Sequence, residues 1–293
     1  MAQTSRIMIS IGDGVLVNGP DGPCAGGIAF SYARAAAGFG HRAIPISRLG
    51  QDDRSERVRE LLNHDLIDRS LLQSDPDLPT ARLSVQNLAG RERLAIEPHA
   101  AFDALQWDFD LQDVAPRAEA VFFGLTAQRS AQSGSVIRRF LDACTTSLRV
   151  ADFTRRAERR AVSHDFRNET GGLLERCDVL FVDEAGWREL RFGGEEPTDD
   201  GVRSALRRHG LAAALVVDAA HRGRLHTNES NLPLRSPIGE SQQCEVAVAI
   251  VGALLDGAAI EDVVSAGDRA CSPGSHDSND ANDASEAGDA NSA

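Results

Sequence analysis

AVFFGLTAQRSAQSGSVIRRFLDACTTSLRVADFT, residues Ala120–Thr154, packs a strand, a helix and a second strand into one short stretch. Ala120–Phe123 is a continuous apolar run of strand length, Ser133–Ala143 has helical spacing, and Leu148–Phe153 reads as a second strand. The alternation continues downstream. The sequence predicts a helix over Glu169–Arg176, a strand over Val179–Val182, a helix over Asp199–Arg208, a strand over Ala213–Val217 and a closing helix over Val246–Leu255 that stops at Asp256-Gly257. Strands and helices alternating at this spacing imply a mainly parallel sheet with helices on both faces, a three-layer α/β architecture.

The N-terminal half is less regular. Ile7–Ile11 reads as a strand, followed by the turn-rich GDGVLVNGPDGPCAGG. Ile28–Phe39 reads as a small-residue helix capped at Gly40, Arg42–Ser47 as a strand and Asp53–Leu62 as an amphipathic helix. TARLSVQNLAGRERLAIEP alternates apolar and polar residues on both sides of Leu88-Ala89-Gly90-Arg91, the signature of a β-hairpin. That hairpin breaks the βα alternation and is expected to lie over the end of the sheet where ligands of such sheets bind.

Composition narrows the function classes. The 293 residues are 42% hydrophobic, enough for a sizeable core. No apolar run reaches the roughly 18 residues of a membrane span, and MAQTSRIMISIGDG lacks a signal-peptide layout, so the expected location is cytoplasmic. A net charge of −13 argues against a nucleic-acid backbone as partner. All 31 basic residues are arginine, which excludes a P-loop lysine and lysine Schiff-base chemistry. The five cysteines, Cys24, Cys144, Cys177, Cys244 and Cys271, are scattered without a CxxC pair, so no zinc knuckle or disulfide framework is indicated. From Cys271 to Ala293 the chain is acidic, with no basic and no large apolar residue, and its composition is that of a disordered tail.

Several strings, in order, resemble the ribokinase-like (PfkB) carbohydrate kinases, the fructokinases in particular. GGIAFSYARAAAGFG at Gly26–Gly40 is similar to the family's Gly-Gly-x-x-x-Asn-x-Ala helix. ISRLGQDDRSERVRELL resembles the segment that follows, Pro79-Thr80 opens the hairpin as in the family, FFGLTAQRS is similar to a fructokinase string, and LRVADFTRR resembles a strand ending Asp-x-Asn-x-Arg. The match runs from about residue 7 to about residue 274. It implies a ribokinase-like domain over 1–270, with a β lid from about 12–25 and 79–102, and the acidic tail over 271–293.

The resemblance also implies ATP-dependent phosphorylation of a sugar hydroxyl, with ATP and Mg2+ as cofactors, a sugar-like ligand, and possible pairing of lids into a homodimer. Such a reaction needs a carboxylate base, backbone N–H groups at a helix N-terminus, magnesium held through acidic residues, and a closed sugar pocket. Placed residue by residue, these parts are altered. The family's catalytic Asp falls on Cys244, with Glu245 one helical step away as a substitute base. Ser241, Gln242 and Gln243 stand where the anion hole has Gly, Ala and Gly, preceded by Glu240. The magnesium-linked Glu falls on Gly186, and the nucleotide turn on Asp218 to Gly223, of which only Gly223 is kept. On the sugar side Gly26 and Gly27 remain, the loop Asp falls on Val17, the Asn on Ser31 and the strand-end Asn on Thr154, while Asp152 and Arg156 are kept. Phe102 sits either as a lid residue over a ligand or as packing under the lid.

Three readings follow. The first is a kinase homologue that binds a ligand or partner without phosphotransfer. The second is an active sugar kinase with a rearranged site. In the third, Cys244 at a helix N-terminus is a redox-sensitive thiol.

Overall fold

The structure is a computed structural model that describes residues 5–19, 22–88, 91–154, 172–190 and 196–271, with backbone only at 84–95 and 240. The acidic stretch after Cys271, and Arg156, lie outside the described residues.

Nine strands form the main sheet. They are β1 (Ile7–Ile11), β4 (Arg42–Gly50), β5 (Leu72–Asp75), β8 (Ala120–Gly124), β9 (Leu148–Asp152), β10 (Val179–Asp183), β11 (Ala213–Val217), β12 (Arg222–Thr227) and β13 (Asn231–Pro237). The spatial order is β13-β12-β11-β10-β9-β8-β1-β4-β5. From β5 through β11 every pairing is parallel, and β12 and β13 close one edge as an antiparallel hairpin. A second sheet of four strands runs β3-β2-β6-β7, with β2 (Val15–Gly19), β3 (Gly22–Gly26), β6 (Ala81–Leu88) and β7 (Arg91–Ile96). The hairpin read from TARLSVQNLAGRERLAIEP is β6–β7, and the turn-rich segment before Gly26 supplies β2–β3, which joins it through the parallel β2–β6 pairing.

Strand residues alternate between two apolar clusters because successive side chains point to opposite faces. On β11, Ala213, Leu215 and Val217 enter one cluster, and Ala214 and Val216 the other. The first cluster is covered by α1 (Gly27–Gly38), α2 (Asp53–Leu61), α7 (Gln243–Leu255) and α8 (Ile260–Ala270). The second is covered by α3 (Phe109–Val114), α4 (Ala131–Ala143), α5 (Glu184–Leu190) and α6 (Asp199–His209). The alanine-rich face of α1 lets its backbone lie close to the sheet, and Ser10 Oγ ties it to β1 by donating to the Ala29 carbonyl at 2.6 Å. No helix among the described residues is long and apolar enough to cross a membrane.

Candidate functional site

The C-terminal ends of β9, β10 and β11 meet the head of α7, where ligands of parallel sheets are usually held. The chain enters α7 through Gly239 and a 3-10 turn, Glu240–Gln242. The Gln242 backbone N–H donates to the Gly239 carbonyl (2.9 Å), so this group is turned inward rather than toward a ligand. The Gln242 side chain accepts from the Gly239 N–H (3.2 Å) and donates to the Cys271 carbonyl (2.9 Å). This glutamine therefore fastens the start of α7 to the end of α8.

Gln243 lies against the other side. Its side-chain oxygen lies 3.2 Å from Thr154 Oγ1, which donates to Asp152 Oδ1 at 2.6 Å. The Thr154 backbone N–H also donates to Asp152 Oδ1 (2.9 Å), and the Tyr32 hydroxyl of α1 donates to Oδ2 (3.0 Å). Asp152 is 1% exposed, and a carboxylate at that depth requires such hydrogen bonds. Tyr32 stacks on Phe122, their ring centroids 4.4 Å apart. Phe181, Leu215, Val217 and Ile238 complete the walls of the cleft, whose free volume is about 10 Å3, room for one water molecule.

The residues placed from sequence distribute as follows. Ser241 is exposed at the rim. Cys244 is 3% exposed and belongs to the apolar cluster under α7. Glu245 is partly buried, and its Oε2 is enclosed without a hydrogen-bond partner among the described residues. Gly186 is the third residue of α5, and its N–H is capped by Asp183 Oδ1 at 2.6 Å. A Cβ at Gly186 would lie 2.6 Å from the Phe153 carbonyl oxygen, so this backbone leaves no room for a glutamate.

The turn at 218–222 is closed on itself. Asp218 Oδ1 accepts from the backbone N–H groups of Ala220 (2.8 Å) and Arg222 (2.9 Å), and Oδ2 accepts from Arg222 Nε (2.7 Å). Burial raises the Asp218 carboxyl, but the Arg222 and Ala220 hydrogen bonds outweigh it and hold the group below its usual range. Gly223 packs against Ile238. A Cβ there would meet Ile238 Cδ1 at 2.7 Å, and the Ile238 N–H donates to the His221 carbonyl at 2.7 Å.

On the side facing the small sheet, Gly27 has φ +82, and a Cβ would lie 2.4 Å from the Asp13 carbonyl, so only glycine fits this close approach. A Cβ at Gly26 would meet Val17 Cγ2 at 2.6 Å, so the valine at the family's Asp position fills the space beside this glycine. Ser31 is half-buried on α1. Phe102 is fully buried with the Arg129 guanidinium 4.6 Å above its ring. Arg129 in turn makes a bidentate pair with Asp103, both contacts 2.7 Å. Phe102 belongs to the second apolar cluster.

The structure thus brings Gln243, Asp152 and Thr154 together and turns Cys244 into the core. Sequence reasoning gave no role to Tyr32 or Ile238. Tyr32 is the chain's only tyrosine, a signal that could have been followed. Among the cysteines, burial pushes Cys144 and Cys177 up to about 12 and Cys271 up to about 11, far from reactive thiolates.

No protein-family model matches the chain, and no curated protein matches it significantly. Solved structures do. They define a class first: ribokinase- and PfkB-type sugar kinases, whose fold this chain shares. A fructokinase from Xylella fastidiosa superposes with a TM-score of 0.76 at 16% identity, covering 93% of this chain and 92% of that one. A PfkB protein from Polaromonas sp. JS666 gives 0.72 at 17% identity, covering 91% and 95%. A ribokinase from Arabidopsis thaliana, complexed with ribose and ATP, gives 0.65 at 15% identity, covering 92% of each chain. At such identities the likeness establishes a ribokinase-like fold.

Proposed function

We propose that this chain is a PfkB-type, fructokinase-like kinase homologue in which phosphotransfer is lost or severely reduced, and which acts by binding a small ligand or a partner. One observation supports the reading: among the described residues, the cleft walled by Tyr32, Asp152, Thr154 and Gln243 at the head of α7 is narrow, with a free volume of about 10 Å3. Its helix start is held by Gln242, which bonds Gly239 and Cys271, and Gln243 sits against Thr154. ATP and Mg2+, the cofactors of an active relative, do not fit the residues present. The nucleotide turn is occupied by its own Asp218 and Arg222, and Gly186 cannot carry the carboxylate that the family uses toward magnesium. No phosphoryl-transfer step is therefore derived through them. The thermal unfolding midpoint with and without millimolar ATP and Mg2+ tests this reading. It requires an unchanged midpoint, whereas a rise of several degrees reports nucleotide bound to the folded chain and contradicts it.

A second reading, an active sugar kinase with Glu245 as base, is favoured by one observation. Glu245 Oε2 is enclosed and without a hydrogen-bond partner among the described residues, as a base awaiting a substrate hydroxyl would be. Its carboxylate does not line the cleft with Gln243, and it follows the family's base position by one helical step of about 100°.

A further inference from the structure

Tyr32 differs from the other aromatic residues of the core. It reaches from α1 into the cleft at the strand ends, and its hydroxyl is spent on a carboxylate. The walls around its ring are apolar, including Phe122, Phe181 and Leu215, and Asp152 is the charged group among the residues lining the cleft. That combination, a largely apolar slot that ends in the buried Asp152 carboxylate beside Thr154 and Gln243, recognises a flat ring carrying a hydroxyl. The chain provides such a ring from its own helix.

We propose that Tyr32 is a built-in occupant of the cleft: its ring fills the room at the head of α7, and its hydroxyl gives Asp152 the hydrogen bond that an incoming hydroxyl would otherwise make. The contact is autoinhibitory in the plain sense that the wild-type site is closed to external ligands by a side chain. The proposal rests on the reading of the cleft as a filled ligand site, and it adds which residue fills it.

The experiment uses the full chain and two variants, Tyr32→Ala and, as a control cavity, Phe140→Ala on the opposite face of the sheet. Phenol and toluene are titrated against each and followed by calorimetry and thermal unfolding. Tyr32→Ala is expected to bind phenol about tenfold or more tighter than toluene, because a hydrogen bond to a buried charge is at stake. Phe140→Ala, a cavity in the second apolar cluster, is expected to prefer toluene, and wild type to bind neither. Equal or stronger toluene binding by Tyr32→Ala, or phenol binding by wild type, overturns the proposal. If Tyr32→Ala does not fold alone, it is refolded with each compound present. Recovery with phenol and not with toluene supports the proposal, and recovery with both or with neither overturns it. Since wild-type turnover is measured separately, failure here leaves the proposed function testable in its own right.

Discussion

His226, on β12, is 3% exposed, with its Nδ1 3.9 Å from Asp199 Oδ1 at the start of α6. Burial lowers its pKa from 6.5 to about 4. Asp199 pulls it upward, and Arg224 and Arg203 push it further down. The folded chain therefore holds His226 neutral, while the unfolded chain protonates it near 6.5. Stability from this group is complete above about pH 6.5 and is lost as the pH falls toward 4, because the unfolded state then binds the extra proton. With those two pKa values the loss at pH 5 is about 2 kcal/mol relative to pH 7. The perturbation is His226→Gln, which keeps a polar side chain of similar reach but cannot take up the proton. Urea unfolding followed by circular dichroism at pH 7 and pH 5 reads the difference. Wild type should lose about 2 kcal/mol more than the variant between the two conditions. The carboxylates held below their usual range, Asp52, Asp68, Asp75 and Asp218, lose stability only as the pH falls below about 4, so they do not enter this window. His41 is also lowered, chiefly by burial, but it is common to both proteins and cancels. Equal pH dependence in wild type and His226→Gln would refute the reasoning.

Other consequences can be checked the same way. Gly186→Ala forces a Cβ to within 2.6 Å of the Phe153 carbonyl and should destabilise the fold by roughly 1–3 kcal/mol, read as a lower urea midpoint. An unchanged midpoint would show that the backbone at Gly186 can move aside. Tyr32→Phe keeps the ring but removes the donor to buried Asp152, and should cost about 1.5–3 kcal/mol in the same assay. Cys244→Asp should give no kinase activity and a less stable protein, since it buries a carboxylate in the apolar cluster under α7. Turnover from that single change would show that the closed cleft and the altered turn matter less than the missing base.

The main architecture was legible because it rests on long apolar runs. Ala120–Thr154 folds as β8, α4 and β9, and Val179–Val182 and Ala213–Val217 fall within β10 and β11. What was missed carries weaker patterns. RGRLHT and NLPLRSP, the edge hairpin β12–β13, are too rich in Arg, His and Asn to stand out as strands, and the second of them is held by Asp268 accepting from the Arg235 N–H at 2.6 Å. The amphipathic α8, at Ile260–Ala270, also went unassigned.

At the site, counting along the chain located the head of α7 but could not say which way each side chain points. One helical step separates Gln243, which faces the cleft, from Cys244, which faces the core. Tyr32 lies 120 positions from Asp152, and nothing in a small-residue helix announces a hydrogen bond over that separation. Gly223 reads as the kept glycine of a nucleotide turn, and nothing in the sequence signals that Ile238 packs against it.

The most direct test of the central claim is turnover by the wild-type chain, supplied with ATP, Mg2+ and a panel of hexoses, pentoses and nucleosides, with transfer of the γ-phosphoryl group followed by isotope. A filled cleft, a self-closed turn and a core-facing Cys244 predict no transfer above the uncatalysed background. Phosphorylated product that disappears in the Glu245→Gln variant would contradict the account and establish the chain as an active sugar kinase with a relocated base.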